Sequence, residues 1–181
     1  DGAGNFAIDD VSSGFGNHES RVADLDGDGD MDILGKPYDW RTPRIDIWLN
    51  QDVSEANVGQ WCRWVIDEER PWRAVFVSSA DLDNDGLKDV VSGGWWYRNP
   101  GIEGGDWERN AIGAPLNNFA AIYDFDGDGN VDILGTNGKP GPNGDTFVWA
   151  RNDGNGEFTI RDNIEQASGD FLQGIAVDHF D

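Results

Sequence analysis

A nine-residue acidic loop occurs three times in this sequence. The copies are Asp24-Leu-Asp-Gly-Asp-Gly-Asp-Met-Asp32, Asp81-Leu-Asp-Asn-Asp-Gly-Leu-Lys-Asp89 and Asp124-Phe-Asp-Gly-Asp-Gly-Asn-Val-Asp132. The shared pattern, D-x-D-x-D-G-x-x-D, offers carboxylates at positions 1, 3, 5 and 9, a turn-forming Gly at 6 and a main-chain carbonyl at 7. Hard cations such as calcium take roughly 6–8 oxygen ligands, and a tight loop of alternating acids supplies them. The expected ligands are Asp24, Asp26, Asp28, Asp30 and Asp32 in the first loop. In the second they are Asp81, Asp83, Asp85, Leu87 through its carbonyl, and Asp89. In the third they are Asp124, Asp126, Asp128, Asn130 and Asp132. A plain polar turn needs one or two Asp or Gly residues, whereas four clustered carboxylates repel one another until a cation neutralises them. The reading is three Ca2+ sites, with a possible partial fourth where His179 and Asp181 open another copy.

An EF-hand begins with a similar run of ligands but requires a bidentate Glu at position 12 and a helix on each side. Position 12 is Gly35, Ser92 and Gly135. Each loop is followed by a short β-prone run, Met31–Leu34, Val90–Val91 or Val131–Leu134, with no stretch of helical period. The EF-hand reading fails on both ligand and flank.

The elements that position the loops repeat with them. Loop starts lie 57 and then 43 residues apart. After each post-loop strand comes an aromatic strand ending in Asn: Ile45–Asn50, Trp95–Asn99 and Phe147–Asn152. A turn follows, then a strand opened by an aromatic (Trp61–Ile66, Trp107–Ile112, Phe158–Ile164) and a strand entering the next loop (Ala74–Ala80, Phe119–Tyr123, Gly174–Val177). Four short strands in a unit of about 40–50 residues is the pattern of a β-propeller blade. The expected fold is all-β, with complete four-stranded blades over about 20–66, 74–112 and 119–164. Residues 1–12 resemble the last strand of a preceding blade, since Asp1–Phe6 matches Asp153–Phe158, and 170–181 would start a further one. Three blades and parts of two others do not close a ring. The expectation is a piece of a longer propeller, or edge blades that pair between chains into a homo-oligomer or assembly.

The loop between a blade's first two strands, with an aromatic-x-x-N-x-G strand end downstream, resembles the FG-GAP/VCBS repeat. That family includes the calcium-loop blades of integrin α-subunit propellers and of some fungal and bacterial lectins. The resemblance covers essentially the whole chain and implies a seven-bladed propeller, with calcium at Asp24, Asp26, Asp28, Asp32 and their counterparts. Trp-Trp-Tyr-Arg-Asn-Pro-Gly and Trp-Ala-Arg-Asn-Asp-Gly are also similar to bacterial FG-GAP proteins and to propellers of some sugar lyases and dehydratases.

The chain of 181 residues has 35 acidic and 13 basic residues, a formal charge of -22. That balance disfavours nucleic acid and anionic membranes, and no apolar run reaches the ~18 residues of a membrane helix. Nine Trp and nine Phe argue for a packed core rather than acidic disorder. Cys62 is the single cysteine, which suits an extracellular or cell-surface protein held by metal instead of disulfides. No G-x-S-x-G, H-E-x-x-H or paired-Cys motif is present.

In an up-and-down blade the calcium loops share one face, and the second turns and crossovers form the other. Seven of the 13 basic residues fall in those opposite segments: Arg21, Lys36, Arg41, Arg44, Arg70, Arg73 and Lys139. From this face the candidate ligand-binding set is Tyr38, Trp40, Arg41, Arg44, Trp72, Arg73 and Lys139, aromatic and cationic groups suited to carbohydrate or to an extracellular protein partner. Trp48, Trp61, Trp96, Trp107 and Trp149 recur at equivalent strand positions and are assigned to packing. The leading expectation is a non-catalytic calcium-binding module for binding or adhesion. The alternatives are the propeller of a carbohydrate-active lyase or dehydratase, and a self-assembling structural subunit.

Overall fold

Each acidic loop forms the turn between the first and second strands of a four-stranded antiparallel sheet. The computed structural model describes residues 4, 8, 10–14, 16–37, 39, 41–51, 61–70, 74–138, 146–164 and 175–178. The first sheet contains β1 (Asn17–Ala23), β2 (Asp32–Pro37), β3 (Ile45–Asn50) and β4 (Trp61–Asp67). The second contains β5 (Val77–Ala80), β6 (Asp89–Ser92), β7 (Trp95–Arg98) and β8 (Glu108–Ala111). The third contains β9 (Asn118–Tyr123), β10 (Asp132–Thr136), β11 (Phe147–Asn152) and β12 (Phe158–Arg161). All three are meanders in which sequence neighbours pair. Among the described residues there is no helix, and none long and apolar enough to cross a membrane.

Burial explains why the inner strands lack a polar/apolar alternation. Successive residues on a strand point to opposite faces, and both faces of β2, β3 and β6 are covered, while β11 keeps an alternation of buried and half-buried residues. Val90 lies in a core with Leu25, Leu34, Ile45, Ile47, Val77 and Tyr97 at the seam between the first two sheets. Its neighbour Val91 lies in a second core with Leu82, Trp96, Phe119, Ile133 and Val148, at the seam between the second and third. A fully buried side chain of this kind contributes roughly 1.5–3 kcal/mol. Of the fourth strands, β8 is polar and largely solvent-facing, whereas β4 packs Cys62 and Ile66 against the first core and exposes Arg63, Trp64 and Val65.

Polar ties reinforce the first seam. Glu19 on β1 accepts from the Val77 amide (3.2 Å). Asp67 at the end of β4 accepts from the Tyr97 hydroxyl (2.6 Å) and from Arg109 (3.0 Å). Trp48 and Trp96 are buried at 5% exposure, in keeping with their packing assignment, while Trp61, Trp107 and Trp149 are half-buried.

The strand set matches the sequence reading, with shifted bounds. β1 begins at Asn17 instead of about 20, β5 is shorter than the expected 74–80, and residues 175–178 carry no strand. Of the segment 1–12, only residues 4, 8 and 10–12 are described, and they form no strand.

Candidate metal centres

Position 1 of each loop ties the turn to itself. Asp24 accepts from the amides of Gly27 (2.7 Å) and Gly29 (3.1 Å), and Asp124 from those of Gly127 (2.7 Å) and Gly129 (2.9 Å). Asp81 accepts from Gly86 (3.0 Å). Position 5 folds the next turn in the same way, with Asp28, Asp85 and Asp128 accepting from the amides of Asp30, Leu87 and Asn130. The glycine at position 6 is left-handed in all copies, with φ of 96°, 91° and 94° at Gly29, Gly86 and Gly129. Position 4 is left-handed as well: Gly27 (80°), Asn84 (57°) and Gly127 (74°). Asn tolerates this region better than other side chains, which accounts for the one non-glycine there.

Position 9 does more than close the loop. Asp32, Asp89 and Asp132 are fully buried. One oxygen of each accepts from the amide of loop position 2: Leu25 (2.7 Å), Leu82 (2.9 Å) and Phe125 (3.2 Å). The other accepts from the Asn that ends the third strand: Asn50, Asn99 and Asn152, each at 2.8 Å. This carboxylate therefore binds the loop to the aromatic strand whether or not it also touches a cation. Burial holds the Asp89 carboxyl up at about 6, against the pull of those two amides. Asp32 and Asp132 are raised for the same first reason.

Three acid groups gather ligand oxygens within 4.8 Å of one another: Asp24, Asp26 and Asp32; Asp81, Asp83 and Asp85; Asp124, Asp126 and Asp132. Asp30 Oδ2, Asp81 Oδ1 and Asp83 Oδ1 are buried without a hydrogen-bond partner. A buried carboxylate oxygen left unpaired is costly, and a cation coordinated there would satisfy it. The donor set, carboxylates with nearby carbonyls, fits a hard divalent ion.

Two arginines that the motif reading passed over complete the second and third sites. Arg98 Nε lies 2.6 Å from Asp83 Oδ2 and its Nη2 3.4 Å from Asp85 Oδ2. Arg151 reaches Asp126 and Asp128, both at 2.5 Å. These are positions 3 and 5 in each case. The signal was present in the strand ends: Arg precedes Asn99 and Asn152, but Leu49 precedes Asn50. The electrostatic consequence is a split at position 3. Arg151 holds Asp126 below the ordinary carboxylate value, whereas burial, followed by the charge of Asp32, raises Asp26.

The second and third loops touch across their seam. Asn84 donates to Asn130 Oδ1 (2.9 Å) and to the Gly154 carbonyl (3.0 Å). Beside the first loop, a cleft of about 280 Å³ opens between Asp26, Trp64 and the Asn99–Trp107 turn.

Of the residues expected on the opposite face, Tyr38, Trp40, Trp72, Arg73 and Lys139 lie outside the described residues; so do His179 and Asp181 of the expected partial fourth loop. Arg41 is exposed and paired with Asp39. Arg44 is held at 2.8 Å by the fully buried Asp46, which also binds Arg63 at 2.5 Å. Lys36 and Arg70, expected on the exposed face, are instead buried. Arg70 donates to the carbonyls of Pro37 (2.6 Å) and Arg44 (3.0 Å), fastening the end of β4 to the β2–β3 turn. Arg21 pairs with Glu19. The described basic residues of this face are thus largely engaged within the protein.

No protein-family model and no curated protein matches the chain. Among solved structures it is similar to the V. cholerae biofilm matrix protein Bap1, at 18% identity and a TM-score of 0.42, over 84% of this chain and 29% of that one. The chain therefore spans less than a third of the Bap1 chain.

Proposed function

We propose that this protein is a calcium-stabilised segment of a β-propeller of the FG-GAP/VCBS kind, acting outside the cell as a non-catalytic module that binds carbohydrate or protein. The observation that carries the calcium reading is the clustering of acid oxygens at all three loops, together with the buried oxygens that lack a partner. The loops sit at the seams between sheets, so calcium there stiffens the first turn of each blade and the contact to the next. Asp24, Asp26, Asp28 and Asp32, with their counterparts at Asp81–Asp89 and Asp124–Asp132, would hold the ion. Recognition belongs to the opposite end, where Arg41 remains exposed beside Tyr38 and Trp40 in the sequence.

Calcium titration by calorimetry, paired with melting curves in calcium and in excess EGTA, tests the metal. A ligand that binds only the native state raises its melting temperature by mass action. Identical curves in the two buffers would sink the calcium reading. Glycan-array binding that survives in wild type and disappears in Arg41→Ala tests the recognition face.

A further inference from the structure

We infer that the three loops are graded in their hold on the divalent cation, the first being tightest, and that the residue before the strand-end asparagine sets the grade. This rests on the calcium reading above and concerns how the chain's own residues tune it. Arg98 and Arg151 stand at equivalent places on β7 and β11 and engage the same two carboxylates, positions 3 and 5, of their own loops. The equivalent residue on β3 is Leu49, 3% exposed and packed in the core of the first seam. Among the described residues no Lys or Arg forms an ion pair with the first loop.

Sequence and geometry therefore give the loops different charges. The first carries five carboxylates, with no ion-paired Lys or Arg among the described residues. The third carries four, offset by Arg151. The second carries four, offset by Arg98 and by Lys88 within the loop. The net values run -5, -3 and -2 for the first, third and second loops.

The arginine acts on both sides of the binding equilibrium. Without metal, it relieves the repulsion that otherwise opens an acidic loop, so the second and third loops keep their shape. With metal, its charge stands a few ångströms from a like charge and opposes binding. Asp83 shows how both can be accommodated. Its side chain is 8% exposed, one oxygen meets Arg98, and the other is buried without a partner. The guanidinium takes the outer oxygen and leaves the inner one to the cation. Both effects weaken the dependence of these loops on calcium, while the first loop has no substitute for it.

The test is calorimetric titration of the intact chain with calcium chloride in metal-free buffer at fixed ionic strength. Wild type should show one site about tenfold or more tighter than the other two. Asp28→Asn, at an exposed position of the first loop, should remove the tight site. Arg98→Gln and Arg151→Gln change half-exposed side chains. Each should strengthen one weak site and lower the melting temperature in EGTA. Three equivalent sites, or weaker binding in the Arg→Gln variants, would overturn the grading and leave the calcium reading standing. Absence of any calcium binding would overturn both.

Discussion

Asn99, the residue that follows β7, donates its side-chain amide across the seam to the carbonyl of Leu25 in the first sheet's loop, at 2.7 Å. The same amide reaches the Lys88 carbonyl of its own loop at 2.9 Å. One sheet on, Asn152 repeats the arrangement with Leu82 (2.8 Å) and Val131 (3.1 Å). In both, the Asn oxygen accepts from the glycine two residues later, Gly101 or Gly154, at 3.0 Å. The N-x-G strand end is therefore a fastener. It fixes its own turn, grips its own loop and holds the loop of the sheet before.

Removing the fastener should weaken the seam in a predictable way. Asn99→Ala and Asn152→Ala each strand two carbonyls, one of them across the seam, and should cost about 1–3 kcal/mol. Urea unfolding monitored by tryptophan fluorescence measures this. A change below about 0.5 kcal/mol in both variants would show that apolar packing alone holds the sheets.

Position 9 and position 5 of the first loop should respond differently to calcium. Asp32→Ala leaves the amides of Leu25 and Asn50 without their acceptor and should destabilise by about 2–4 kcal/mol with or without calcium. Asp28→Ala removes an exposed carboxylate bonded to one neighbouring amide, so its effect should appear mainly in calcium-containing buffer. Equal losses in calcium and EGTA for both variants would contradict this division of labour.

The left-handed Asn84 separates conformation from hydrogen bonding. Asn84→Ala loses the bonds to Asn130 and Gly154 and keeps a Cβ at φ 57°, so a loss of about 1–2 kcal/mol is expected. Asn84→Gly loses the same bonds but relieves the backbone and should recover part of the loss. If the two variants melt together, strain at this position contributes nothing.

Lys36 should make stability rise with alkaline pH. Its amine is held down to about 8 from 10.5, first by burial and then by the charge of Arg70, with Glu19 pulling the other way. Because the folded value lies below the unfolded one, charging this amine opposes folding. That cost is complete below about pH 8 and disappears as pH rises toward 10.5. Lys36→Met should gain about 2 kcal/mol at neutral pH and flatten the rise between pH 8 and 10.5. Denaturant midpoints across that window read both effects, and an unchanged slope in the variant would refute the assignment.

What the sequence determined by itself was periodic and local. The spacing of Asp24, Asp81 and Asp124 set the units, and the aromatic runs ending in Asn50, Asn99 and Asn152 marked the third strands. Loop chemistry is legible in one dimension because its ligands lie within nine residues. The seams were not legible, because they join residues 30 to 74 apart, such as Tyr97 to Asp67 and Asn99 to Leu25. Nor could counting basic residues show that Lys36 and Arg70 turn inward. That depends on which carbonyls and carboxylates the packed sheets bring to them. The place of Arg98 and Arg151 over their own loops was likewise decided in three dimensions. A charge 13 to 25 residues from its partner in the chain becomes a neighbour only when antiparallel pairing folds β7 or β11 back beside the loop.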